Sequence, residues 1–277
     1  MKTTVTHFSP DLDAMTSIWL IKKFLPDWKD AQIKFAPAGK TLNNASPDED
    51  PDIIHVDTGL GRFDHHQSNE KTCAAQKVLH HLLSQNHIHI HLQEPLNRLV
   101  NFVIEDDHFL EVYYPDPNSD RYEFLLNNLI SGLKVVLAKD EKLIEYVFVL
   151  LDASLELLKS KGKAELEIKK GFIFHSYLGK SLAIETSVDA VLKVAQKQGF
   201  NLVIRKDPKF GNFRIKAPPD AKLDLTSLCE KILERDSVGV WFLHSSKHML
   251  LNGSPKRPDQ TPSPLTLNQV IEIARNI

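Results

Sequence analysis

The chain opens on a β-branched run, Thr3-Thr4-Val5-Thr6, that leads into the polar segment from His7 to Asp13. Ile18, Leu20, Ile21 and Phe24 then recur at helical spacing until Pro26 breaks the pattern. Ile33-Lys34-Phe35 reads as a short strand, and a loop rich in Pro, Asn and Asp follows over residues 37–52. Ile53-Ile54-His55-Val56 is an apolar run of the kind that forms a buried parallel strand, with Asp57 at its C-terminal end. Phe63 precedes the Asp64-His65-His66 triplet, and residues 72–83 are again helical. This alternation predicts an α/β fold with a parallel, doubly wound sheet and with function at the C-terminal ends of its strands.

From Tyr122 to about Ser160 the apolar positions keep helical spacing (Leu125, Leu129, Leu133 and Val136, then Leu143, Val147, Leu151, Leu155 and Leu158), and Lys161-Gly162-Lys163 is the expected stop. Short strands follow at 172–174, 181–184, 202–204 and 213–215, with helical stretches near 189–198 and 225–235. Val238-Gly239-Val240-Trp241-Phe242 reads as one more buried strand. The expected organisation is a first domain over 1–125, a helical connector over 126–164 and a smaller α/β domain over 165–277. The wide apolar face of the connector also offers a surface for a homodimer.

Composition narrows the function classes. With 277 residues, 42% hydrophobic and 25% charged, the chain has the make-up of a globular protein of about two domains. No run approaches the roughly 18 apolar residues of a membrane span, and the N-terminus lacks the apolar core of a signal peptide. Cys73 and Cys229 stand far apart, which excludes a disulfide framework or a thiolate zinc site and points to a cytoplasmic protein. The net charge of −2 hides a division: residues 1–164 hold 17 Lys/Arg against 24 Asp/Glu, and residues 165–277 hold 17 against 12. An acidic first part and a basic last part fit a metal-binding domain and an anion-binding one.

The chemistry concentrates in four segments. His7, Asp11 and Asp13 fall between a strand and a helix, where carboxylates cannot be desolvated together without a compensating cation. Asp57 ends a buried strand. In Arg62-Phe63-Asp64-His65-His66-Gln67, an aspartate beside two histidines can fix the tautomer of an imidazole ligand. Glu105-Asp106-Asp107-His108 offers a further acid, expected at a later strand end. Nitrogen and oxygen donors without sulfur favour manganese or a similar ion, and two such ions can activate a water for attack on phosphorus. Two other signals carry less. His87, His89 and His91 read as one side of an exposed strand, and Gly39-Lys40-Thr41 lacks a P-loop's first glycine, Lys34 standing in its place.

With HFSPDLDA at 7–14, VDTG at 56–59, FDHHQSN at 63–69 and EDDH at 105–108, the chain resembles the DHH phosphoesterase superfamily. That superfamily includes family II inorganic pyrophosphatases and RecJ-type exonucleases; the wording around the triplet is most similar to its MYG branch. The resemblance implies two Mn2+ ions, with Mg2+ or Co2+ as substitutes. His7 and Asp11 would hold the first, Asp13 and His65 the second, and Asp57 would bridge them. Asp106 or Asp107 would complete the ligand set of the second ion; spacing does not decide which, and Asp106 is preferred. His66 would contact the substrate phosphate and Asp64 would orient a histidine, so that Asp57, Asp64 and His66 form the catalytic set.

The resemblance further implies a phosphate-gripping motif in the last domain. The segment 244–257 supplies Lys247, His248, Asn252, Gly253, Ser254, Lys256 and Arg257 as candidates, against the plainer reading of a solvated hairpin. It matches neither the pyrophosphatase nor the RecJ-type motif. The leading expectation is hydrolysis of phosphodiester bonds in short or single-stranded nucleic acid or nucleotides by a water held between the two ions. The alternatives are a phosphoanhydride hydrolase and a catalytically idle nucleotide-binding module.

Overall fold

The computed structural model describes residues 1–137, 139–253, 257 and 259–277. β1 (Thr3–His7) runs between β2 (Gln32–Ala36) and β3 (Ile53–His55), parallel to both. Thr4, Val5 and Thr6 are fully buried, as a central strand covered on both faces requires. Asp11 caps α1 (Leu12–Phe24), its Oδ1 accepting the Ala14 amide at 3.0 Å, and the extended Leu25 before Pro26 ends the helix. α2 (Ala74–Ser84), α3 (Ile90–Asp107), α4 (Leu126–Val136) and most of α5 (Asp140–Ile168) complete a first unit, Met1–Lys159. Leu20, Ile54, Leu79, Val100, Ile130 and Leu151 share its core.

In the connection from β2 to β3, the described regular structure is a 3-10 turn at Leu42–Asn44. Buried His55 pins it: Nδ1 donates to the Pro47 carbonyl at 3.0 Å, and Nε2 accepts the Leu42 amide at 3.0 Å. The same loop lies on Gly59, where φ is +80° and a Cβ would meet Thr41 Cγ2 at 2.7 Å, so only glycine fits.

The second unit, Ser160–Ile277, holds a six-stranded sheet in the order β4 (Phe172–Ser176), β5 (Gly179–Glu185), β6 (Leu202–Lys206), β7 (Phe213–Lys216), β9 (Met249–Leu251), β8 (Phe242–Leu243). All its pairings are antiparallel except β5 with β6. Alternation along the central strands feeds two cores. Ala183, Leu202 and Ile204 join residues of α7 (Thr226–Arg235) and α8 (Leu267–Arg275). Leu182, Ile184 and Val203 join α6 (Val191–Lys197) and the end of α5.

Five expectations are corrected. Residues 86–91 form no strand: His89 caps α3, and the acidic run 105–107 occupies the last turn of that helix rather than a strand end. Lys161-Gly162-Lys163 does not stop α5, because Ala164 and Ile168 beyond it are buried and offset the roughly 1 kcal/mol that a helical glycine costs. Asp13 is not on a loop but in the first turn of α1. Val238–Phe242 is not a buried strand; Val238, Val240 and Phe242 are exposed, and β8 is two residues long. The cause is Asp236, whose carboxylate gathers the amides of Val238 and Gly239 and the Trp241 indole at 2.7–3.0 Å and turns the chain into a loop.

Candidate metal centre

His7 at the end of β1, Asp57 two residues beyond β3, Asp11 and Asp13 at the start of α1, and Asp107 at the end of α3 meet with the triplet at the C-terminal edge of the parallel sheet. An open parallel sheet presents its site there because successive loops diverge at that edge. Asp57 has φ +54°, a left-handed conformation that costs a non-glycine residue on the order of 1 kcal/mol; its amide donates to the Phe63 carbonyl at 3.0 Å. The bend turns its carboxylate so that each oxygen meets a different imidazole. Oδ2 lies 3.2 Å from His7 Nε2, and Oδ1 lies 3.3 Å from His65 Nε2.

Three sets of donor atoms lie close enough to share an ion. His7, Asp11 and Asp57 form one, Asp13, His65 and Asp107 another, and Asp57, His65 and His66 a third. His65 Nε2 is 3.7 Å from both Asp13 Oδ2 and Asp107 Oδ2, and His7 Nε2 is 3.8 Å from Asp11 Oδ2. The tautomer of His7 is fixed: Nδ1 donates to the Phe8 carbonyl at 2.9 Å, which directs the lone pair of neutral Nε2 into the cluster. Asp57 Oδ1 and His65 Nε2 are buried without a hydrogen-bond partner. Such atoms are costly to leave unsatisfied, and a divalent cation between them satisfies both. The donor set therefore fits the expected ions.

Electrostatics point the same way. Burial and the neighbouring Asp57 charge push the Asp13 carboxyl well above its ordinary range. Burial likewise raises Asp107, although His65 opposes it. Burial would raise Asp57 too, but the His65 and His7 imidazoles outweigh it and hold its carboxyl low. The close approach of the Asp57 carboxylate lifts His7 and His65 to about 9, against the effect of burial. Two protonated imidazoles thus supply the positive charge that the carboxylates demand. Asp107 also stands at a helix C-terminus, where the backbone dipole disfavours anions. Asp13 is held by helix geometry, its two oxygens accepting the Ala74 and Ala75 amides at the start of α2, each at 2.7 Å. Those amides belong to the site's scaffold and went unnoticed in the sequence, where Cys73-Ala74-Ala75 carries no capping signal.

Of the adjacent acids, Asp107 stands in the cluster, whereas Asp106 falls outside the three donor sets and lines the pocket beside them, its carboxyl pushed by burial up to about 6. The preference for Asp106 is reversed. Asp64 is buried and accepts the Leu60 amide at 2.7 Å, the His66 amide at 3.1 Å and His66 Nδ1 at 2.7 Å. Its carbonyl receives Lys77 Nζ. Asp64 thereby shapes the loop and orients His66, whose side chain is 59% exposed.

In the second unit, His244–His248 is the turn between β8 and β9, closed by the Lys247 amide on the His244 carbonyl at 2.7 Å. This is the plain hairpin alternative. Lys247 pairs with Asp224 at 3.2 Å, His248 Nε2 donates to the Asp220 carbonyl at 2.9 Å, and Arg257 pairs with Asp259 at 3.2 Å. Asn252 is fully buried and commits its amide to Val240, Thr261 and Ser263, so a substrate contact is corrected to a scaffold role. Gly253 has φ +76°, and a Cβ there would meet Asn212 Nδ2 at 2.8 Å. Ser254 and Lys256 lie outside the described residues.

No protein-family model matches the chain, and no curated protein does. A solved structure similar to it is a DHH domain described as a member of a family of ribosomal proteins. The two are 11% identical, the match covers 98% of this chain and 85% of that one, and the TM-score is 0.31. At that level the site must be read from its own side chains.

Proposed function

We propose that residues 1–159 form the catalytic unit of a two-metal phosphoesterase of the DHH superfamily, in its MYG branch, with manganese as the resident ion. The observation that carries this reading is the divided carboxylate of Asp57, one oxygen turned to His7 and the other to His65, with Oδ1 and the facing His65 Nε2 buried and unpartnered. His7, Asp11 and Asp57 would hold one ion; Asp13, Asp57, His65 and Asp107 would hold the other. When bound, such a pair supplies Lewis acidity toward phosphate oxygens and an activated water near neutral pH.

The chain's own groups do the rest. Asp64 accepts from His66 Nδ1 and sets the orientation of the ring, turning Nε2 outward, where the doubly protonated ring would donate a hydrogen bond or a proton to the phosphate or its leaving oxygen. Asp13, anchored on α2, fixes one side of the site against movement. On the second unit, Lys247 and Arg257 are exposed cations whose carboxylate partners are exposed as well. Such pairs are weak enough to yield to a phosphate. The substrate class is a phosphodiester in short or single-stranded nucleic acid or in nucleotides, and two buried free cysteines fit a reducing compartment.

The test is a manganese-loaded comparison of pyrophosphate, cyclic dinucleotides, short oligoribonucleotides and single-stranded DNA, with Asp57→Asn in parallel. We expect turnover of a phosphodiester, two manganese ions per chain by titration calorimetry, and at least a roughly hundredfold loss of turnover in Asp57→Asn. Undiminished turnover in that variant overturns the site.

A further inference from the structure

Beside the metal centre lies a pocket of about 240 Å³ that the reading above leaves unused. Asp11, Asp13 and Asp107 form one wall of it. Asp106 and Leu12 border that wall, and the rest of the lining comes from the turn after α3 and from α4, including Phe109, Glu111, Asn127 and Lys134. Two of these residues carry buried oxygens without a hydrogen-bond partner, Glu111 Oε2 and Asn127 Oδ1. Asn127 Oδ1 stands in the lining as a lone acceptor. The pocket thus presents unsatisfied acceptors and asks for N–H donors. The Phe109 ring is 72% exposed on a residue with φ +56°, a strained backbone that holds an aromatic face toward solvent. Lys134 Nζ, donating to the Ser9 carbonyl at 3.0 Å, places a positive charge in the same lining.

We propose that this pocket is a nucleobase subsite selecting bases that carry an amino group, with Glu111 and Asn127 as the acceptors and Phe109 as a stacking face. The proposal rests on the two-metal reading above, which puts a phosphate against the Asp11, Asp13 and Asp107 wall, and it adds what the phosphate is attached to. The volume falls below the roughly 300–1,000 Å³ of pockets for drug-sized ligands, so a single base with part of its sugar is the matching occupant. A base amino group supplies the missing donors, as cytosine N4–H does to a carboxylate. Base–aromatic stacking uses the exposed ring. A further cation would meet the same oxygens, but the Lys134 ammonium repels it, and an aromatic ring is a poor ligand for a hard ion.

The experiment uses the full chain and pairs of ligands that differ at an amino group, guanosine against inosine and cytidine against uridine. Each pair is titrated as 5′-monophosphates with manganese and as free nucleosides with chelator. We expect the amino-bearing member to bind about tenfold more tightly in each pair. Glu111→Gln and Asn127→Ala should shrink that ratio to within about twofold, while both variants still take up two manganese ions. Equal binding within the pairs by the unaltered protein overturns the subsite and leaves the metal reading standing. So does a preference that survives both substitutions, or a third manganese ion that Glu111→Gln removes. The reverse result, an amino preference among free nucleosides in a chain that binds no manganese, supports the base pocket and overturns the two-metal reading.

Discussion

The imidazoles of His7 and His65 act as substitutes for cations when the site holds none, and this makes the metal-free protein sensitive to pH. Their pKa of about 9 lies above the ordinary 6.5, so the stability they contribute is complete below about 6.5 and is lost as pH rises through 9. Asp57, held low, is ionised in folded and unfolded chains across that window and does not blur it. In the presence of chelator the melting temperature should therefore fall between pH 6.5 and 9, and saturating manganese should remove most of the fall, because the ions take over from the protons. A chelated protein whose melting temperature stays flat across the window by differential scanning calorimetry contradicts the pairing of both histidines with Asp57. The same scale shows what a sequence can carry. Asp57 and the 64–66 triplet were legible because their residue types are unusual together. Asp106 and Asp107 were not separable, since neighbours on a helix point about 100° apart and only the packing of α3 decides which one faces the site.

At the level of elements, regular periodicity was legible and side-chain-directed loops were not. β1, β2, β3, α1 and α2 follow from alternation and spacing, but Val238–Phe242 has strand-like residues and a loop conformation because one carboxylate captures the amides a sheet would use. Asp236→Ala should destabilise the second unit by about 2–4 kcal/mol, because the Trp241 indole, two amides and the Ser263 hydroxyl lose their acceptor together. Urea unfolding that shows a loss under roughly 0.5 kcal/mol would mean that water replaces the carboxylate freely. The opposite sign is expected in α4. Gly132 is exposed inside the helix, and a Cβ built there meets nothing within 4 Å. Gly132→Ala should therefore stabilise by about 0.5–1 kcal/mol through the unfolded chain and the helix propensity alone, as a shift in the urea midpoint at constant slope. α8 was missed in the sequence, although Thr266 with Gln269 forms a capping box, a signal that can locate a helix too short to announce itself by period.

For the whole molecule, the division of charge along the chain gains a physical meaning once the units are known. The first unit concentrates like charges: Asp11, Asp13, Asp57 and Asp107 converge at one sheet edge, and a core alone does not neutralise them. The second unit has no comparable group of metal-ligating side chains among its described residues. Manganese should therefore act on one unit only. Bound at a hundred times its dissociation constant, it should stabilise residues 1–159 by about 2.7 kcal/mol, provided the unfolded chain does not bind it. The proper measurement is hydrogen exchange resolved along the chain, because a single melting temperature averages the two units. Amides around residues 5–15, 55–66 and 104–108 should slow on adding manganese, whereas those of β5, β6 and α7 should exchange as before. Protection that spreads equally into β5 and β6 would show that the ion stabilises the chain as one cooperative whole, and the assignment of the metal centre to the first unit's sheet edge would lose its energetic support.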